Sequence, residues 1–149
     1  MKSRRTWVLL ADGSHARIYE NDGVGKGITP LPDGTFDEPV LSTREINADK
    51  PGLSFGSTGI SRRRMQPRTD PHRQAKFEFA RQLASFLEHG HNDNRFDRLV
   101  LVAPPKALGD LRELLPVPVR NLVCGELAKD LLPLDERDLP DHLNDLLAL

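Results

Sequence analysis

Arg62, Arg63 and Arg64 stand in a row, and Arg68, His72, Arg73 and Lys76 follow within the next twelve positions of GLSFGSTGISRRRMQPRTDPHRQAKFEFA, Gly52 to Ala80. Guanidinium groups remain charged in proteins and pair bidentately with phosphate oxygens, so a cluster of this type offers contact with a polyanion. Residues 50–76 hold seven Lys and Arg against Asp70 alone, a local charge of +6. The whole chain carries 21 Lys and Arg against 22 Asp and Glu, a net charge of −1. Phe55 is the one aromatic residue of that segment. Stacking on single-stranded bases is therefore poorly provided for, and phosphate contact is the better fit. The competing reading is a solvated loop whose charge pairs with the acidic remainder of this chain or of a second copy. The sequence leaves both open.

Other residue types that do chemistry are scattered. Asp12-Gly13-Ser14 resembles, in isolation, an acidic turn at a strand end that could hold a metal or a phosphate. A metal nuclease needs several carboxylates converging from different strands, and only Asp97 and Glu20 stand near other strand ends. An ordinary hairpin turn explains Asp12 and Gly13, so no catalytic residue is assigned. His15, His72, His89, His91 and His142 are dispersed, no Cys/His cluster has zinc spacing, and no metal site is expected. Cys124 is the single cysteine and is expected to be a small buried hydrophobe. Pro104-Pro105 ends a strand at the edge where α/β proteins bind ligands, but no Gly-rich phosphate loop follows and no cofactor is expected. Lys106 and Arg112 read as helix-surface charges.

The elements that position these residues follow from periodicity and punctuation. TWVLLA is a short apolar strand, and the Asp12-Gly13 pair turns it into a hairpin with SHARIYEN. A weaker strand covers Ile28 to Leu31, with a turn at Pro32-Asp33-Gly34, and PVLSTREIN from Pro39 is a further candidate. From Ala48 to Thr69 no period holds, and Pro51, Gly52, Gly56, Gly59 and Pro67 mark a flexible basic loop at about 48–70. Asp70-Pro71 caps and opens the clearest helix, whose apolar face carries Ala75, Phe79, Leu83, Phe86 and Leu87, with Gly90 as its stop. RLVLVAPP is an uninterrupted run suited to a central strand covered on both faces. KALGDLRELL is a short helix, PVRNLVC another strand, and the tail from Gly125 reads as helical with breaks at Pro133 and Pro140. Strands first, then helices and strands in alternation, make a single α/β domain over residues 1–149. It has three layers around a mixed sheet, in which the Trp7–Ala11 and Leu99–Ala103 strands lie side by side.

A length of 149 residues fits one core. No run approaches the roughly 18 apolar residues of a membrane helix, and the short TWVLLA after MKSRR is no leader peptide. The expectation is a cytoplasmic protein with no membrane partner.

Three blocks, TWVLLADGSHARIYEN, FDRLVLVAPPKALGDLRELL and ELAKDLLPLDERDLPDHL, resemble the bacterial host-attachment protein family in order and spacing over essentially the whole chain. That family is in turn distantly similar to the central domain of the archaeal and eukaryotic class-I peptide release factors and their pelota-like relatives. The resemblance implies a ribonuclease-H-like sheet in which three antiparallel strands precede the parallel ones. In release factors a mobile loop before the long helix carries Gly-Gly-Gln, which places a water on the peptidyl ester. Here Gln66 sits between Met65 and Pro67, and Gln74 falls inside the helix, so the tripeptide is missing. Hydrolysis by that mechanism is not supported.

Three functions stay in competition. The first is a non-enzymatic protein that binds RNA or the ribosome through Arg62, Arg63, Arg64, Arg68, His72, Arg73 and Lys76, with attachment as an indirect phenotype. The second is a protein-interaction adaptor in attachment or envelope assembly. The third, a peptidyl-tRNA hydrolase or metal-dependent nuclease, is disfavoured. The first is the leading expectation.

Overall fold

The computed structural model describes residues 4–37 and 71–146. Three strands come first, β1 (Thr6–Ala11), β2 (His15–Asn21) and β3 (Thr29–Asp37). Helix α1 (Pro71–Asn92) leads to β4 (Arg98–Val102), followed by α2 (Pro105–Leu114), the single turn α3 (Val117–Arg120) and β5 (Val123–Leu127). A 3₁₀ turn at Glu136–Asp138 and the short α4 (Leu139–Leu143) close the described chain. The sheet runs β3-β2-β1-β4-β5, with β1, β2 and β3 antiparallel in succession and β1, β4 and β5 parallel.

The expected neighbours at the sheet centre are in place. Trp7 pairs with Leu99 and Leu9 with Leu101 in a parallel register. Every residue of β1 is buried because the strand is covered on both faces. Side chains alternate across a strand, so Trp7, Leu9 and Ala11 join Leu99, Leu101 and Ala103 on the face under α1 and α2. Val8, Leu10, Val100 and Val102 face the other way, onto Leu131, Leu132, Leu139 and Leu143 of the C-terminal segment. Helices, sheet and C-terminal segment make the three layers.

Several expectations are corrected. Pro32-Asp33-Gly34 is not a free-standing turn: β3 continues through it, with a break in register that leaves residues 31–34 opposite Ile18 alone. Asp33 there takes a bidentate pair from Arg95 at 3.0 Å, and a Cβ on Gly34 would lie 2.9 Å from that of Ile18. Pro30 and Pro32 are tolerated because β3 lies at the edge of the sheet among the described residues. The candidate strand from Pro39, the basic loop at about 48–70 and the Asp70 cap lie outside the described residues.

On α1 the buried face is Phe79, Ala80, Leu83, Ala84, Leu87 and Gly90. Ala75 is exposed, because it precedes the part of the helix that overlies the sheet. Gly90 is not the stop. Its missing Cβ would fall 2.8 Å from Cη2 of Trp7, so it is a packing residue. The helix ends through Asn94 at φ 58°, with Arg95 N–H donating to Gly90 O at 2.9 Å and Asn94 N–H to His91 O at 3.0 Å. That is a Schellman arrangement with asparagine in the left-handed position.

PVRNLVC is not one strand: Pro116 and Pro118 begin a helical turn, and β5 starts only at Val123. Cys124 is exposed rather than buried. The β4–β5 register passes from Val123 to Gly125 opposite Leu99 and Val100, so Cys124 is the extra residue of a bulge on an edge strand. The tail is far less helical than expected. Between Leu127 and Glu136 no regular element forms, and the leucines there pack as extended chain and turns.

Candidate anion-binding site

The carboxyl ends of β1 and β4 and the first turns of α1 and α2 meet around a cavity of about 320 Å³. Four short-range features shape it. The β1–β2 turn is held by Asp12, whose Oδ1 accepts from the backbone N–H of Ser14 at 2.9 Å and of His15 at 2.8 Å. Aspartate in a turn makes this bond to its own backbone two residues on. Gly13 sits at φ +106°, and a Cβ there would meet Cδ of Lys76 at 3.3 Å, so the Lys76 stem lies across the turn. His15 Nδ1 stands 3.5 Å from Asp12 Oδ1.

The second wall is α2. Pro104 precedes it in an extended conformation, Pro105 is in its first turn, and neither a side-chain cap nor an acidic residue serves that turn. Lys106 follows at once and lines the cavity. On α1 the first turn likewise has no acidic residue, and His72, Arg73 and Lys76 line the cavity from that side. Helix starts carry partial positive charge and favour anions there, so cations at both are mildly unfavourable for the helices themselves. The floor is apolar, with Phe79, Leu83 and Leu111 buried beneath it.

Asp110 joins the two helices. Its Oδ1 accepts from Nη2 of Arg73, and its side chain is only 9% exposed. The bond to Asp110 raises the Arg73 pKa further above its ordinary value. Asp110 Oδ2 is buried and has no donor among the described residues. An unsatisfied buried acceptor costs about 1–3 kcal/mol, so this oxygen is the buried side-chain atom left unpaired in the described cavity wall.

Of the residues singled out from sequence, His72, Arg73 and Lys76 gather at this cavity. Arg62, Arg63, Arg64 and Arg68 lie outside the described residues. Arg73 is already engaged by Asp110, which distinguishes it from a simple surface arginine. The acidic residues considered for metal chemistry do not converge on Asp12. Trp7, the register partner of Glu20, donates to its Oε1 at 3.2 Å near the opposite end of β1. Asp97 there accepts from Arg5 N–H at 2.8 Å. Among the described residues no group of three or more His, Cys, Asp or Glu could hold a metal ion. Burial pushes the Glu20 carboxyl above its usual range, with the Trp7 bond working against that shift.

Sequence reasoning read Lys106 as a helix-surface charge, where it lines the cavity, and passed over Asp110. For Lys106 the signal was present: it directly follows Pro104-Pro105 at the end of an apolar strand. Asp110 gave none, because a carboxylate in KALGDLRELL reads as solvated until α1 is seen packed against it. Arg112 is a surface charge as expected, donating from Nε to Glu126 Oε1 at 2.9 Å.

These features define an α/β protein with a five-stranded mixed sheet and a basic cavity at the carboxyl edge of its central strands. The chain belongs to the family described as protein required for attachment to host cells, whose sequence profile matches residues 7–143. Membership assigns it a role in attachment to host cells. No curated protein matches the chain closely enough to count as a relative. No helix among the described residues is long and apolar enough to cross a membrane.

Proposed function

We propose that this protein acts in the cytoplasm by binding RNA or the ribosome through the basic stretch of residues 50–76, without turning over a substrate, and that it influences attachment indirectly. The observation that carries this reading is the placement of His72, Arg73 and Lys76 on the first turns of α1, beside Lys106, at one edge of the sheet. Four further arginines precede them in sequence, at positions 62, 63, 64 and 68. Basic side chains on a rigid helix start fix where a phosphate backbone rests, and additional arginines add affinity without sequence preference.

The sheet order supports the finer fold reading. Three antiparallel strands followed by two parallel ones, in the order β3-β2-β1-β4-β5, match what a ribonuclease-H-like sheet and a release-factor-like origin would require. The missing Gly-Gly-Gln supports a binding role over peptide release. Gln74, the glutamine within the described part of this region, is an exposed residue of α1.

Co-sedimentation with ribosomes at low and at high salt tests the proposal. The expected result is association at low salt that is lost as salt rises, because counterion release drives phosphate contacts. Absence of association at low salt, with no retained nucleic acid in the purified protein, would give first place to the adaptor reading.

A further inference from the structure

The cavity at the carboxyl edge holds a pairing of groups that phosphate contact alone does not use. Lys76, Lys106 and Arg73 offer cationic donors, while Asp12 and Asp110 offer carboxylates on the same walls. Asp110 is the informative member. One of its oxygens is taken by Arg73, and the other is buried without a donor. An ionised carboxylate is acceptor-only, so what completes it is a hydroxyl or an N–H. Oδ2 is closed to solvent as it stands, but the terminal torsion of an aspartate is soft, so a ligand hydroxyl would reach it by a turn of the carboxylate in which Oδ1 and the Arg73 guanidinium shift together.

Arg73 is equally suited to a second task. A guanidinium carries five N–H donors, and Asp110 takes one of them. Held by that bond, its remaining edge is pre-oriented for an oxyanion. Neither helix has an acidic residue within its first turn, and the two helix starts add dipoles of the same sign. Size narrows the ligand further. Small-molecule sites run from about 300 to 1,000 Å³, and 320 Å³ lies at the lower end. That suits a sugar phosphate unit.

We infer that this cavity is a specific site for a sugar phosphate group, free or as part of a mononucleotide. Lys76, Lys106 and Arg73 take the phosphate, and Asp110 accepts from a sugar hydroxyl. The site shares Arg73 and Lys76 with the proposed RNA contact but goes beyond it, because a walled cavity that pairs cations with a carboxylate acceptor selects a discrete ligand where an open basic surface does not.

Calorimetric titration of the intact protein with ribose 5-phosphate, AMP, inorganic phosphate and ribose tests this. Saturable binding of ribose 5-phosphate or AMP is expected, with phosphate and ribose each at least about tenfold weaker. AMP binding far more tightly than ribose 5-phosphate would identify a nucleotide as the source of the group, and equal affinities would identify a sugar phosphate. Lys106→Ala, at an exposed position, should fold normally and bind at least about tenfold more weakly, the loss of one charge-assisted contact. Asp110→Asn should weaken ribose 5-phosphate more than it weakens phosphate. Three results would overturn the inference: no saturable binding of either ester, equal affinity for phosphate alone, or unchanged binding by Lys106→Ala. Ribosome association that persists while ester binding fails removes this site and leaves the RNA reading standing. Ester binding without ribosome association does the reverse.

Discussion

Arg73 on the first turn of α1 is tied to Asp110 in the middle of α2, a carboxylate whose side chain is 9% exposed. The pair gives Arg73 a structural role beside the binding role proposed for it. Arg73→Ala leaves a buried charge without its partner, which should destabilise the protein by about 1–3 kcal/mol. Arg73 is itself one-third exposed, so solvent screening argues for the lower half of that range. At this chain length each kcal/mol moves the thermal midpoint by about 2–4 °C. An Arg73→Ala midpoint equal to that of the parent would show that the pair contributes nothing.

The contact between Trp7 and Gly90 predicts a second loss. A Cβ at position 90 would sit 2.8 Å from Cη2 and 2.9 Å from Cζ3 of a fully buried indole. Phe86 and Phe96 stack on that same indole, at 5.7 Å and 4.5 Å between centroids, so it has no slack direction. Gly90→Ala gains about 1 kcal/mol of helix propensity and meets overpacking of about 1–3 kcal/mol. The net expectation is a loss of up to about 2 kcal/mol in denaturant unfolding, with ligand and RNA binding unchanged. A more stable Gly90→Ala protein would mean that the indole can move.

Glu20 supplies a pH prediction. Burial raises its pKa from the ordinary value near 4.5, so the folded state holds the proton more tightly than the unfolded chain. Where the folded state binds more protons, stability falls as pH rises. This group's contribution therefore declines from about pH 4.5 upward through its folded pKa. Glu20→Gln retains an acceptor for Trp7 Nε1 and removes the charge. Its stability, measured against the parent from pH 4 to 8, should match or exceed the parent's at neutral pH and fall less steeply with rising pH. A Glu20→Gln protein that loses more than about 1 kcal/mol at pH 7 would show that the ionised form is the stabilising one.

What the sequence made legible was set by period and punctuation. β1, β4, α1 and α2 carry strong apolar periods or unbroken apolar runs, and each is found where expected, including the β1–β4 pairing. The failures fall where tertiary contact overrides local signals. Gly90 reads as a helix stop until Trp7 is seen to need the space. Pro32-Asp33-Gly34 reads as a turn until Arg95 draws Asp33 into a strand irregularity. The leucines after Gly125 have helical spacing, but they cover the sheet without a long helix, and Pro140, expected to be a break, lies instead in the first turn of the short α4. At the site, His72, Arg73 and Lys76 were visible as a charge cluster. Their meeting with Lys106 and Asp110 depends on α1 packing against α2, which no local pattern encodes.

The slope of log K against log salt for RNA binding by the intact chain tests the central claim most directly. Each phosphate contact contributes about −0.7 to that slope on single strands. If Arg62, Arg63 and Arg64 serve binding and not the core, replacing them together by alanine should leave the thermal midpoint nearly unchanged, as surface substitutions typically matter by less than about 0.5 kcal/mol. The same change should weaken RNA binding and make the slope shallower by up to about 2. If the triple variant binds RNA with the parent's affinity and slope, or if the parent shows no salt-dependent binding, the basic segment is not a polyanion contact.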